Sequence, residues 1–122
     1  AGFLSGKYQR GQAPPDDARL GRWRDRYDKR LDRDKNWQIV DALRAVAQEL
    51  GATPAQVALA CLIAQPHVSS VIFGARSLAH FDDNRKAAEL VIPPALLARL
   101  DETSAHELSY PYDFLKSIQG RW

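Results

Sequence analysis

The sequence predicts an α/β fold in which most of the sheet comes from outside these 122 residues. Three observations support this prediction. The β-branched run at residues 68–73 has the length and composition of a buried strand. Four segments with helical signals surround it, and the one just before it is apolar on nearly all sides, as in a deeply covered helix. Since one strand cannot form a sheet, the remaining strands must lie elsewhere.

Length and composition describe one globular domain. The chain is 45% hydrophobic and 26% charged, so it can bury a core and is too apolar to stay disordered. No apolar run is long enough to cross a bilayer, and the first residues lack the charged-then-apolar pattern of a signal peptide. We therefore expect a cytoplasmic protein without a membrane partner.

The cysteine, the histidines and the net charge give no support for a disulfide, a metal site or a polyanion-binding surface. Cys61 is the single cysteine, so no internal disulfide can form, and its apolar surroundings predict a buried, inert thiol. His67, His80 and His106 lack companion ligands at metal-site spacing, which predicts no metal site. A net charge of +2 does not by itself imply a polyanionic partner.

The first twenty residues have the composition of loops. Residues 1–8 place Phe3 and Leu4 between two glycines, as in a loop that leaves a strand lying upstream. Residues 9–20 concentrate glycine, proline and aspartate, which predicts an exposed loop. Because the chain also contains no methionine, we expect a fragment of a longer protein.

Residues 19–35 carry eight basic side chains, four aspartates and two aromatic rings. Cations interleaved with stacking rings are what a nucleic-acid-binding segment needs. The alternative is a solvated, partly helical surface segment with ion pairs at i,i+4 spacing. Those pairs would be Arg24 with Asp28, Asp25 with Lys29, and Arg30 with Asp34. The interspersed aspartates favour the surface segment, and no nucleic-acid partner is expected.

A long amphipathic helix is predicted from residue 37 to about residue 50. Asn36 is its predicted N-cap, and Gly51 is expected to end it in the left-handed conformation. Apolar residues recur at three- and four-residue steps and define one face. They are Trp37, Val40, Leu43, Val46, Ala47 and Leu50.

Three further helices have clear start signals. Thr53 and Gln56 form a capping box around Pro54 and open a helix over 55–65. Ser77 is placed to cap a helix from 78 to about 90, and Pro94 opens one over 95–103. The aromatic residues in 104–122 have no helical period, so that tail is predicted to be extended and packed.

The turn after the predicted strand is a candidate phosphate site. Gly74 allows close approach to the backbone, Arg76 adds a planar cation, and Ser77 opens a helix whose first turn offers unpaired N–H groups. The alternative is an ordinary connection between a strand and a helix with a solvent-facing arginine.

Four motifs occur in one order along the chain: GFLSGKY at 2–8, TPAQVALA at 53–60, VIFGARS at 71–77 continuing to Asp83 and Asn84, and YPYDF at 110–114. Together they resemble the last third of aldo/keto reductases. The resemblance implies the C-terminal part of a (β/α)8 TIM-type barrel. Residues 1–35 would be the loop after strand seven, 36–103 would hold strand eight with its helices, and 104–122 would be the tail.

The resemblance also implies an NADP(H)-dependent enzyme that reduces aldehydes and ketones to alcohols. Arg76 would face the 2′-phosphate, Lys7 the pyrophosphate, and Asn84 the adenine. Arg19 would add a charge from the closing loop, and His80 stands where many relatives have glutamine. The full set of implied cofactor-binding residues is Gly2, Lys7, Arg19, Gly74, Arg76, His80, Asp83 and Asn84.

The catalytic Asp, Tyr, Lys and His of the family come from earlier strands, so no catalytic residue is placed in this chain. The fragment alone is therefore expected to be inactive, and to self-associate or to need the rest of the barrel. Tyr112 and Phe114 would line the substrate pocket or pack against the barrel. The alternative function is a non-catalytic partial barrel that binds or assembles with another chain.

Overall fold

The computed structural model describes residues 2–16, 18–22, 31–106 and 109–119, and these ranges are helical without any strand. Their α-helices are α1 (Arg19–Arg22), α2 (Asp34–Glu49), α3 (Pro54–Ile63), α4 (Leu78–Arg85), α5 (Pro94–Ser104) and α6 (Tyr112–Ile118). The same ranges contain two 3₁₀ helices, at Phe3–Ser5 and Lys86–Ala88.

Helix α2 begins three residues before the predicted start, so the prediction of Asn36 as its N-cap is wrong. Arg33 holds the N-cap position, and its carbonyl accepts the N–H of Trp37 at 3.1 Å. The side chain of Asn36 instead donates to the carbonyl of Leu31 at 3.1 Å. The Trp37 indole N–H donates to Asp32 at 2.6 Å, which fixes the ring beside the helix start.

The predicted apolar face of α2 is confirmed and divides between two cores. Its C-terminal half packs on α3 and α5 through Leu43, Val46, Ala47, Val57, Ala60 and Leu100, together with Ala87 and Ile92. Its N-terminal half packs on the first segment of the chain through Trp37, Val40, Phe3, Tyr8, Ala18 and Leu20. The long helix therefore ties the N-terminal loop to the rest of the molecule.

Both signals between α2 and α3 act as predicted. Gly51 has φ +62°, and the N–H of Ala52 reaches the carbonyl of Ala47 at 2.9 Å, which closes a Schellman C-cap. Thr53 and Gln56 form the reciprocal capping box at the start of α3. Helix α3 ends at Ile63, two residues before the predicted boundary.

The predicted buried strand at 68–73 is not formed in the described structure. Ile72 is 97% exposed and Phe73 is 37% exposed, and the segment has no regular secondary structure. A strand is stable only when a neighbour satisfies its backbone N–H and C=O groups. No described residue supplies that neighbour.

Helix α4 begins after Ser77 as predicted but changes to 3₁₀ geometry after Arg85. Helix α5 follows its prediction closely. In the described part of the tail, residues 112–118 are helical, and all of them except the half-buried Ile118 are exposed, so the prediction of an extended, packed tail is wrong there. Each ion pair predicted at 24/28, 25/29 and 30/34 includes at least one residue outside the described ranges, so these pairs stay predictions. Within the described ranges, Asp34 pairs with Arg10 at 3.5 Å.

The N-terminal loops are more buried than predicted. Residues 2–8 contain the short 3₁₀ helix at Phe3–Ser5, and the side chains of Phe3 and Tyr8 are buried. In 9–20, Pro14, Ala18 and Leu20 are buried. Among the described residues, no single helix is long and apolar enough to cross a membrane. Helices α2 and α3 satisfy that requirement only as a pair bent by 96°, and core helices satisfy it equally.

Candidate functional site

The first glycine motif folds into a compact turn that brings Gly2 and Lys7 together. Gly2 and Gly6 flank the 3₁₀ helix and have φ values of +76° and +78°. A Cβ atom on Gly2 would lie 3.2 Å from Cε and 3.3 Å from Nζ of Lys7. The exposed ammonium group lies 5.1 Å from the ring centroid of Tyr8. Glycine at position 2 therefore leaves room for the lysine.

Arg44 of α2 binds the backbone of the turn formed by residues 2–8. Its Nη2 donates to the carbonyls of Gly6 at 3.1 Å and Tyr8 at 2.8 Å, and its Nη1 reaches Asp41 at 3.3 Å. Sequence reasoning missed this residue, because an arginine on the polar side of an amphipathic helix gives no signal of distant carbonyl partners. The contact fixes the backbone on either side of Lys7.

The exposed start of α4 is the second part of the site. Ser77 Oγ accepts the N–H of His80 at 3.2 Å, which confirms Ser77 as the N-cap. Arg76 and His80 are both exposed beside this first turn. A guanidinium next to a helix N-terminus is a favourable setting for a phosphate group.

Gly74 is not required by packing within the described residues. Its φ is not in the left-handed range, and a Cβ atom built there would meet nothing within 4 Å. A side chain at this position would therefore project into open space.

Asp83 is anchored to the first turn of α3. Its Oδ2 accepts from Thr53 Oγ1 at 3.1 Å, and its Oδ1 accepts from Gln56 Nε2 at 2.7 Å. Gln56 Nε2 also donates to the backbone carbonyl of Asp83 at 3.1 Å. The capping motif of α3 thus binds the last turn of α4, which sequence reasoning did not predict.

Asn84, the next residue, contributes a polar group to a mostly apolar cavity of about 160 Å³. The other lining residues are Leu59, Ile63, Val71, Phe73, Arg85, Ala87 and Ala88. The half-buried amide can donate and accept hydrogen bonds in the lining of this cavity. Such a surface suits a flat ring that carries polar edges.

Arg19 is exposed at the start of α1, where its neighbour Leu20 is buried. Leu20 packs in the same core as Phe3 and Tyr8, but no hydrogen bond or ion pair among the described residues links Arg19 itself to the Lys7 turn or to α4. Cys61 is a half-buried free thiol on α3. Burial, and then the charge of Asp101, raises the pKa of the thiol, so Cys61 stays protonated at neutral pH.

The sequence matches the Aldo/keto reductase family over residues 1–105, which include both parts of the site. The chain belongs to the aldo/keto reductase family.

Individual aldo/keto reductase relatives include proteins named as probable or putative voltage-gated potassium channel beta subunits. The one from Arabidopsis thaliana is 33% identical over 105 residues, covering 84% of this chain and 32% of the relative. The one from Schizosaccharomyces pombe is 33% identical over 107 residues, covering 84% and 30%. A rice relative is 35% identical over 92 residues, covering 75% and 28%. The chain spans about a third of the length of these relatives.

Membership of the aldo/keto reductase family implies a TIM barrel, whereas the described residues form helices only. The two observations differ most at 68–73, where the family resemblance places the last strand of the barrel. Membership of this family also suggests that the activity is that of an oxidoreductase.

Proposed function

We propose that this chain supplies the NADP(H)-binding part of an aldo/keto reductase that reduces small aldehydes and ketones to alcohols. The observation that carries the proposal is the family match across both parts of the site, with Arg76 exposed beside the capped start of α4. Bound NADPH supplies the hydride, and the protein supplies binding and orientation.

Each segment has a distinct role in the proposal. Arg76 binds the 2′-phosphate as a planar fork, next to the positive end of α4. Lys7 approaches the pyrophosphate from the turn that Arg44 fixes. Asn84 offers its amide to the adenine from the lining of the apolar cavity. In this proposal residues 68–73 become a strand when neighbouring barrel strands satisfy their backbone groups.

Arg76→Ala tests the cofactor assignment. In a fluorescence titration of the full-length protein, the variant should lose roughly tenfold or more in NADPH affinity and little in NADH affinity, because only NADPH carries the 2′-phosphate. Arg99→Ala is the charge-matched control, since Arg99 lies on α5 in an ion pair with Glu49 at 2.7 Å. Unchanged NADPH affinity in Arg76→Ala would remove that residue from the site.

A second candidate is a non-catalytic partial barrel that assembles with another chain. Exposed apolar side chains on α3 and α4 favour it, and several relatives are named as channel subunits. Steady-state assays separate the two functions: NADPH oxidation that depends on an added aldehyde supports the reductase. Stable association without turnover in the full-length protein supports the assembly module.

A further inference from the structure

The two cofactor segments of the proposed function rest on the same structural element, the first turn of α3. On one side, Gly6 lies so close that a Cβ atom there would be 3.2 Å from Cγ of Pro54. On the other side, Thr53 and Gln56 hold Asp83 in the last turn of α4. This turn therefore contacts both the Lys7 turn and the helix that follows Arg76.

The bonds to Asp83 form one network with the helix cap. Thr53 Oγ1 accepts the N–H of Gln56 at 3.2 Å, while Gln56 Oε1 accepts the N–H of Thr53 at 3.1 Å. The same Thr53 hydroxyl donates to one oxygen of Asp83, and the Gln56 amide donates to the other. Hydrogen bonds to a carboxylate are stronger than neutral ones, and each bond here orients the next.

We propose that Asp83 is a positioning residue, which fastens α4 to the first turn of α3 and so sets Arg76 and Asn84 relative to the Lys7 turn. The inference rests on the proposed function, because these three residues are the ones assigned to NADPH. It gives Asp83 a role different from the adenine contact that the family resemblance implies. Both of its oxygens already accept hydrogen bonds, one from the N-cap Thr53 and one from Gln56 in the first turn of α3.

Two substitutions of Thr53 distinguish its hydrogen bond to Asp83 from its role as the N-cap of α3. Thr53→Asp keeps a good N-cap but cannot donate to Asp83 and repels its carboxylate. Thr53→Ser keeps a hydroxyl that can both cap α3 and donate. In NADPH titrations of the full-length protein, Thr53→Asp should weaken binding about three- to tenfold, and Thr53→Ser should bind like the wild type. Equal affinities for the two variants would overturn the inference.

Asp83→Ala completes a double-mutant cycle. If Asp83 acts through Thr53, its removal should weaken NADPH binding in the wild type and have a much smaller effect in the Thr53→Asp background. If Asp83 contacts the cofactor directly, the loss should be the same in both backgrounds, and the positioning role would be wrong.

Amide hydrogen exchange of α4 gives a readout that does not need NADPH. Exchange in Leu78–Arg85 should be faster in Thr53→Asp than in Thr53→Ser, because α4 loses its anchor. Identical exchange would contradict the fastening. Failure of the wild type to bind NADPH would instead contradict the proposed function, and the exchange result would still decide whether Asp83 holds α4.

Discussion

At the scale of single residues, Gly74 and Gly51 show how packing and ligand binding make different demands on glycine. Gly51 needs its positive φ to end α2, whereas Gly74 has an ordinary φ and open space around it. The reason for a glycine at position 74 therefore lies outside the packing of the described residues. In the proposed function, the reason is close approach of the cofactor.

Alanine substitutions distinguish these roles. Gly51→Ala should lower the free energy of unfolding by about 1 kcal/mol, because alanine is strained at positive φ. Gly74→Ala should change that free energy by less than about 0.5 kcal/mol yet weaken NADPH binding. Urea unfolding and NADPH titration of both variants provide the measurements. Full NADPH affinity in Gly74→Ala would exclude close approach at this turn.

Cys61 gives a pH-dependent prediction. Burial and the charge of Asp101 raise the pKa of the folded thiol above that of the unfolded chain. The contribution of Cys61 to stability is therefore present below the pKa of the unfolded thiol, and it is lost as pH rises through the higher folded pKa. Alkylation rates measured against pH should have a higher midpoint in the folded protein than in urea. Asp101→Asn should lower the folded midpoint, and coincident midpoints would contradict the assignment.

At the scale of elements, the sequence predicts best those features, such as helix caps, whose hydrogen-bond partners are close by in the sequence. The capping box at Thr53, the left-handed Gly51 and the Ser77 cap are closed by partners within five residues, and all three are present. The N-cap of α2 was mispredicted because Asn36 competes with the earlier Arg33 and bonds to Leu31. Local signals thus predict that a helix is present more accurately than they predict its first and last residues.

Contacts between elements were not predictable, because no local pattern encodes them. Arg44 reaches carbonyls 36 and 38 residues away, and Gln56 reaches Asp83 across 27 residues. The cofactor residues came from a family resemblance, whereas the residues that hold the two segments in place emerged only from the structure.

The Arg44 contact can be measured directly. Arg44→Ala should lower the free energy of unfolding by about 1–2 kcal/mol, because two carbonyls of the N-terminal turn lose a charged donor. Arg99→Ala, which breaks an exposed ion pair with Glu49, should lower it by no more than about 1 kcal/mol. Limited proteolysis within residues 2–8 should accelerate in Arg44→Ala alone. Equal proteolysis of both variants would exclude the anchoring role.

At the scale of the whole molecule, the sequence predicted an α/β fold with missing strands, and the described residues show the helical part of it. The run at 68–73 has strand composition, but composition cannot supply hydrogen-bonding neighbours. Among the described residues, apolar side chains in and beside this run, such as Ile72 and Leu78, are exposed. A barrel completed by other strands, or association with another chain, would remove this surface from water.

Self-association of the 122-residue chain is the measurable consequence of that exposure. Ile72 is 97% exposed and Leu78 is 82% exposed, on the segment before α4 and at its first position. Lysine at both positions should reduce a concentration-dependent increase in sedimentation coefficient, because it replaces apolar surface with charge at sites that support no core. Val91→Lys is the control, since Val91 is 84% exposed but precedes α5. If the wild-type chain sediments as a monomer at all concentrations, or if Val91→Lys has the same effect, association through the 72–78 surface is excluded.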